Sequence, residues 1–404
     1  MRTMVMEVSL PRLALTKALA KVWPAAYFGP QSTLRLATLP DPPLPAPTWL
    51  RVRNNLCGIC GSDLHEIFID AGLDVAPLAL PAHQRIYLGH EMVGEVVEVG
   101  ASVTQVQVGA RVVRWGRVND CIARGLAPSC PACAAGRREL CAHASDPLAY
   151  EAIGGGFGDS YIAPAATLVR VPDGVSDEQA IFAEPTAVAI QAALRRLPTA
   201  GERVLVLGCG TIGFLLLQAL RLLAPDAEVT ALAEFEWQAD LAKQFGARHI
   251  LLRGADVYQA AADLTGASLH ARRRDNRMLM GGFDVVYDVV GIAATLTDAL
   301  RLTRAGGTVV LVGVSLHRLR VDLTPVWYQE VNLLGAMGHG LARWQGEEIS
   351  GFELALRWMR DGQLCVTPLL THRFPLDAYR EAFATAVDKR GAQSIKVAFD
   401  LRQG

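Results

Sequence analysis

The chain has 404 residues, 51% of them hydrophobic and 20% charged, with 39 Lys and Arg against 40 Asp and Glu. A formal net charge of −1 gives no global field to attract nucleic acid or an anionic membrane. A chain this long suits two or three domains and buries roughly three-quarters of its unfolded surface, which excludes disorder and any need for disulfides.

In the N-terminal stretch, Glu7, Arg12, Lys17 and Lys21 break any signal-peptide apolar region. Leu13, Leu19, Val22 and Trp23 line one helical face, so a short helix packed on the domain is expected, with a transit peptide as the alternative. No stretch reaches the ~18–20 apolar residues of a membrane span, and the default location is the cytoplasm. Residues 1–50 otherwise read as irregular and proline-rich, with Pro40, Pro43, Pro45 and Pro47. From Trp49 to Val171, short apolar alternations such as 92–99 and 110–113 are broken by Gly and Pro, as in a partly open β-barrel.

Beyond Ser176 the periodicity becomes helical over 177–195, and a strand at 203–207 leads into a long apolar helix at 211–223. Strands at 228–232, 285–290 and 308–313 then alternate with helical stretches. That rhythm predicts an α/β fold with a doubly wound, Rossmann-type parallel sheet. After about Gly340 the pattern reverts to a helix at 352–360 and short strands. The expected organisation is an outer domain of residues 1–188 and 340–404, interrupted by a nucleotide-type domain at 189–339.

Four of the eight cysteines, Cys121, Cys130, Cys133 and Cys141, fall within 21 residues among loop formers. Four thiolates with a close C-x2-C pair suit a closed tetrahedral zinc site, in a lobe at about 119–143 with little core of its own. Cys57 reads as a buried thiol, Cys209 as a small residue within a glycine turn, and Cys365 carries no signal.

Gly208, Gly210 and Gly213 form G-x-G-x-x-G directly after a strand and open a helix with Thr211 and Ile212. In that context the turn is a dinucleotide site, its helix N-terminus facing the pyrophosphate. Glu234, 21 positions after Gly213, is the candidate for the ribose hydroxyls, although Ala233 competes for that position. No Arg or Lys lies between Glu228 and Gln238 to neutralise a 2′-phosphate, which favours NAD over NADP. The basic run 272–274 reads as a solvated loop.

Two further motifs carry the chemistry: Cys60-Gly-Ser62-Asp63-Leu-His65, and Gly89-His90-Glu91-x2-Gly94. Cys, His and carboxylate suit an open catalytic zinc. With the cysteine lobe, the glycine turn and Ala183-Glu184-Pro185-Thr186, the chain resembles the zinc-dependent medium-chain dehydrogenases, nearest the polyol and threonine dehydrogenase branch. The resemblance runs from Val52 to Val397 and is weakest before Trp49 and through 266–282.

It implies a GroES-like outer domain and two zinc ions per chain. Cys60 and His90 are then fixed ligands of the catalytic zinc, with Glu91 and Glu184 completing or exchanging in the remaining positions. Ser62 matches a hydroxyl that touches the reacting alcohol, His65 the outer end of a proton relay, and Asp63 a carboxylate that orients His90. The four clustered cysteines match the family's structural zinc, with Cys121 displaced by a longer gap at 122–129.

The expected activity is oxidation of a secondary alcohol, polyol or hydroxy amino acid by hydride transfer to NAD. An NADP-dependent aldehyde, ketone or alkene reductase is the alternative, and a non-enzymatic binding protein is a third reading. The expected partner is a small alcohol or carbonyl compound, with no nucleic acid or membrane, in a homodimer or homotetramer. Residues 67–86, including Phe68, Leu73, Leu78 and Leu80, together with Trp327 and His339, are expected to shape the pocket.

Overall fold

The computed structural model describes residues 1–72, 74–75, 85–116, 118–146, 153–272 and 276–402. Leu73, Leu78 and Leu80 lie outside the described residues, as do Arg273 and Arg274 of the basic run. The chain divides into two compact units. One comprises Met1–Glu184, Phe352–Gly362 and Val366–Gly404, and the other Pro185–Gly351 with Gln363–Cys365.

The first unit departs at once from the irregular N-terminus that its prolines suggest. Strand β1 (Arg2–Glu7) is followed by helix α1 (Leu10–Ala20) and strand β2 (Leu34–Thr38). The burial of α1 also differs from expectation. Thr16 is its buried residue, while Val22 and Trp23 lie beyond its end and are exposed.

Next come strand β3 (Trp49–Gly58), helix α2 (Gly61–Ile67), strand β4 (Arg85–Tyr87) and strand β5 (Glu91–Val99). β1 pairs antiparallel with both β2 and β4, a long-range arrangement that no local pattern announces. β3 pairs antiparallel with β5, with Ser160–Pro164 and with Lys396–Asp400, so the last strand of the chain lies against the first motif. Arg111–Arg114 and Leu168–Arg170 extend the sheet beyond β5. Its core holds Leu50, Val52, Met92, Val96, Phe157, Phe383 and Phe399, with Phe157 edge-on to Phe399 at 4.9 Å.

The second unit is built on six parallel strands in the order His249–Leu252, Glu228–Ala233, Arg203–Leu207, Phe283–Asp288, Thr303–Leu311, Asn332–Gly335. The order reverses between Arg203–Leu207 and Phe283–Asp288, and ligands bind such sheets at that crevice. Val204 to Leu207 are almost fully buried, as strands covered on both faces must be.

One strand ends earlier than its apolar run. Asp288 stops it by accepting from the N–H groups of Val290 and Gly291, both at 3.0 Å, and from Thr295 Oγ1. A two-stranded hairpin, Ser268–Ala271 with Arg277–Met280, occupies the stretch where the resemblance is weakest. Among the described residues no helix is long and apolar enough to cross a membrane.

Candidate active site and metal centre

The four clustered cysteines come together. Their sulfur atoms all lie within 4.8 Å of one another. Cys121 Sγ is 3.7 Å from Cys141 Sγ, and Cys130 Sγ is 3.9 Å from it. A zinc tetrahedron with bonds of ~2.3 Å has edges of about 3.8 Å, so the sulfurs are spaced as zinc requires.

The long gap after Cys121 is taken up by a loop that folds back on itself. Asp120 Oδ1 accepts from Ala123 N at 2.8 Å, Leu126 N donates to Cys121 O, and Cys130 N reaches Cys121 Sγ at 3.4 Å. Arg138 anchors the turn through two bonds to Asp120, at 2.7 and 3.1 Å. The N–H groups of Cys133 and Ala142 pull the Cys130 thiol down to about 6, while burial pushes Cys133 up. Four sulfurs packed so closely favour a bound cation over four protons.

The second constellation is organised by Asp63. Cys60 caps α2, and Asp63 in the first turn accepts from Cys60 N at 2.9 Å and from Gly89 N at 3.1 Å. One carboxylate thus ties the two motifs together. Its Oδ1 also lies 3.5 Å from His90 Nδ1, while Ser62 Oγ is 3.5 Å from His90 Nε2.

Burial opposes ionisation of Asp63, but His90 and the two backbone N–H groups outweigh it and hold the carboxyl below its usual range. Burial likewise pulls His90 down, yet Asp63 and Cys60 together hold the imidazole well above the ordinary histidine value. Beneath them Cys57 is fully buried, and a Cβ at Gly89 or Gly156 would meet its sulfur at 2.9 or 2.3 Å.

Glu91 and Glu184 have different surroundings. Lys396 donates to both oxygens of Glu91, at 2.7 and 2.5 Å, and to Ile59 O at 3.1 Å. The pair is buried, and Gly58 makes room for it, since a Cβ there would meet Glu91 Oε2 at 2.2 Å. Glu184, by contrast, is pushed up to about 7 by burial and by Glu91, against the pull of His90 and Lys396.

Among the described residues the cysteine lobe is the only group of three or more such ligands within 4.8 Å of one another. Cys60, His90 and Glu184 are not drawn that close. Still, a thiol, an imidazole and a carboxylate sharing one field are a donor set that suits zinc.

Lys396 escaped the sequence reading. Its one signal is a lysine within the apolar run of Ser394-Ile-Lys-Val-Ala-Phe399, where a strand buried on both faces tolerates charge only when it is paired. His65 lies 2.8 Å through Nδ1 from Asp70 Oδ2. Phe68 is half-buried and packed edge-on by Tyr27 at 5.2 Å. In the second unit Trp327 is 71% exposed and His339 is buried.

The glycine turn has the space a dinucleotide needs. Gly208 takes φ +106°, and a Cβ at Gly213 would meet Gly208 O at 2.0 Å, so both positions are restricted to glycine. Gly210 caps the helix Thr211–Leu223 and has open space where its Cβ would stand, which lets phosphate approach the backbone of Thr211 and Ile212. Ala233 ends its strand and is buried, while Glu234 follows it and is exposed. Arg253, from the end of the adjacent strand, donates its backbone N–H to Ala233 O at 2.8 Å. Its guanidinium lies 4.0 Å from Asp298 Oδ2.

A largely antiparallel unit bearing a four-sulfur centre and a parallel sheet bearing a dinucleotide turn define a zinc- and NAD(P)-binding oxidoreductase. Residues 46–173 match the family described as "Alcohol dehydrogenase GroES-like domain", and residues 211–352 match "Zinc-binding dehydrogenase". The chain belongs to the zinc-dependent medium-chain dehydrogenase/reductase family.

It is 29% identical to an L-idonate 5-dehydrogenase of Vitis vinifera, over 93% of this chain and 94% of that protein. It is also 29% identical to an L-threonine 3-dehydrogenase of Saccharopolyspora erythraea, over 92% and 96%. The crystal structure of 2R,3R-butanediol dehydrogenase from Bacillus subtilis is similar with a TM-score of 0.68 and 26% identity, over 91% of this chain and 96% of that one.

Proposed function

We propose that the enzyme oxidises a secondary alcohol, polyol or hydroxy amino acid with NAD, using zinc held by Cys60, His90 and Glu184, with a second zinc in the cysteine lobe. The observation that carries this reading is Asp63. By binding the backbone of Cys60 and of Gly89 and facing His90 Nδ1, it leaves His90 Nε2 as the nitrogen turned towards Ser62. A ligand imidazole with its other nitrogen on a carboxylate is a recurrent device for fixing the ring and raising its basicity.

Glu184 is the favoured third ligand because both oxygens of Glu91 are engaged by Lys396. When bound, zinc lowers the pKa of a coordinated hydroxyl, as it lowers that of water from 15.7 to about 7. Ser62 is the group that takes the substrate proton, and His65 passes it to solvent. NAD held at Gly208, Gly210 and Gly213 provides the hydride acceptor. Idonate, threonine and butanediol, for which the relatives are named, share a secondary hydroxyl beside another polar group. A reducing cytoplasm suits cysteines that serve as zinc thiolates, as Cys60 and the four of the lobe do on this reading.

One observation favours NADP as the alternative cofactor. The residue ending the second strand is Ala233, which carries no carboxylate to repel a 2′-phosphate. The test of the reading is a screen of sorbitol, idonate, threonine and 2,3-butanediol with each cofactor, alongside zinc analysis. Reduction of NAD by one of these compounds and two zinc ions per chain are expected. A chain that carries zinc only in the lobe would overturn it.

A further inference from the structure

We propose that the segment between β1 and β2 supports the relay histidine, with Lys17 and Asp70 as positioning residues for His65. This rests on the reading of His65 as the outer end of the relay. β1 and β2 are adjacent antiparallel strands, with Met6 opposite Leu34. Two to five residues would join them, yet the chain runs from Val8 to Thr33 and builds α1 on the way. The segment therefore does more than close a hairpin.

What it does is visible at the end of α2. Lys17 Nζ donates to Ile69 O at 2.9 Å and to Ala71 O at 3.2 Å, the two carbonyls that flank Asp70. Ile69 takes φ +51°, a left-handed backbone that a β-branched residue rarely adopts. The chain turns there because Ile69 N donates to Glu66 O and Asp70 N donates to His65 O at 2.8 Å. Tyr27 packs edge-on against Phe68 at 5.2 Å, and Phe28 stacks on Phe383 of the core at 6.1 Å, which fastens the segment at its other end.

The turn brings Asp70 Oδ2 to 2.8 Å from His65 Nδ1. A carboxylate on Nδ1 fixes the proton there and leaves Nε2 as the basic nitrogen. A relay needs that arrangement, because a ring in the other tautomer presents an N–H where it must accept a proton.

The test uses the full-length, zinc-loaded enzyme labelled with ¹⁵N-histidine, with the His65 tautomer read by long-range ¹H–¹⁵N correlation at about pH 8. The wild type and Lys17→Arg should hold the Nδ1–H form, whereas Asp70→Ala and Lys17→Met should move to a mixture with Nε2–H. In parallel, kcat for NAD reduction with the best of sorbitol, threonine and 2,3-butanediol should fall by about tenfold or more in Asp70→Ala, with KM nearly unchanged. In a His65→Gln background, Asp70→Ala should add nothing, because the two act as one unit.

An unaltered tautomer in both Asp70→Ala and Lys17→Met overturns the inference. If His65→Gln lowers kcat but neither Asp70→Ala nor Lys17→Met does, the relay stands and its support by this segment is refuted. If His65→Gln leaves kcat unchanged, the relay reading fails and the inference fails with it.

Discussion

Ala233 ends its strand and Glu234 follows it, and on the proposed reading the two bias cofactor choice in opposite directions. A carboxylate reaching the ribose from Glu234 would favour its hydroxyls and repel a 2′-phosphate, whereas Ala233 in that position would admit one. We expect Glu234→Gln to narrow the preference for NAD by about tenfold or more, since a charge-assisted hydrogen bond contributes ~1.5–3 kcal/mol. Steady-state kinetics with both cofactors decide, and a wild type that prefers NADP contradicts the assignment.

Glu184 supports a second prediction at this scale. A ligand must lose its proton to bind metal, and burial has brought this carboxyl to about 7, so affinity at the catalytic site should fall as pH drops below that value. Glu184→Gln should bind zinc more weakly, and its affinity should depend on pH with about one proton fewer. Competition with a chelator dye across pH measures both. An unchanged slope would remove Glu184 from the ligand set.

Strands β3, β5 and Lys396–Asp400 meet at one buried ion pair, and the lobe is held by four sulfurs. Removing one partner of a buried pair leaves an uncompensated charge, so Lys396→Met should cost about 3–5 kcal/mol in denaturant unfolding. Glu91→Gln in the same chain should restore much of that loss. A cost under about 1 kcal/mol for Lys396→Met would mean that Glu91 is satisfied elsewhere. The lobe behaves differently, because its folding is coupled to its metal. Cys130→Ser should lose one zinc ion per chain and lower the melting temperature, yet keep the catalytic metal and turnover. Unchanged zinc content would mean that the four sulfurs are packing alone.

At the scale of the molecule, legibility follows the range over which each feature is determined. The parallel sheet is readable because strands buried on both faces write continuous apolar runs, as Val204 to Leu207 do. The glycine turn is readable because Gly208 and Gly213 are sterically restricted within six residues of each other. The N-terminal region was not, since β1 owes its place to β2 and β4, and α1 is held by Thr16 and Lys17 rather than by an apolar face. The same reason hid the partner of Glu91, 305 residues away at Lys396, and Lys17, 52 residues from the carbonyl of Ile69 that it holds. The pairing of Asp63 with His90 was anticipated through family resemblance, but not from spacing. Zinc content and turnover of the wild type beside Cys60→Ala, with folding followed by circular dichroism, decide whether Cys60 holds a catalytic zinc. We expect two zinc ions and activity in the wild type, and one zinc ion, no turnover and an intact fold in the variant. A Cys60→Ala enzyme that keeps both zinc ions and wild-type turnover would contradict that assignment.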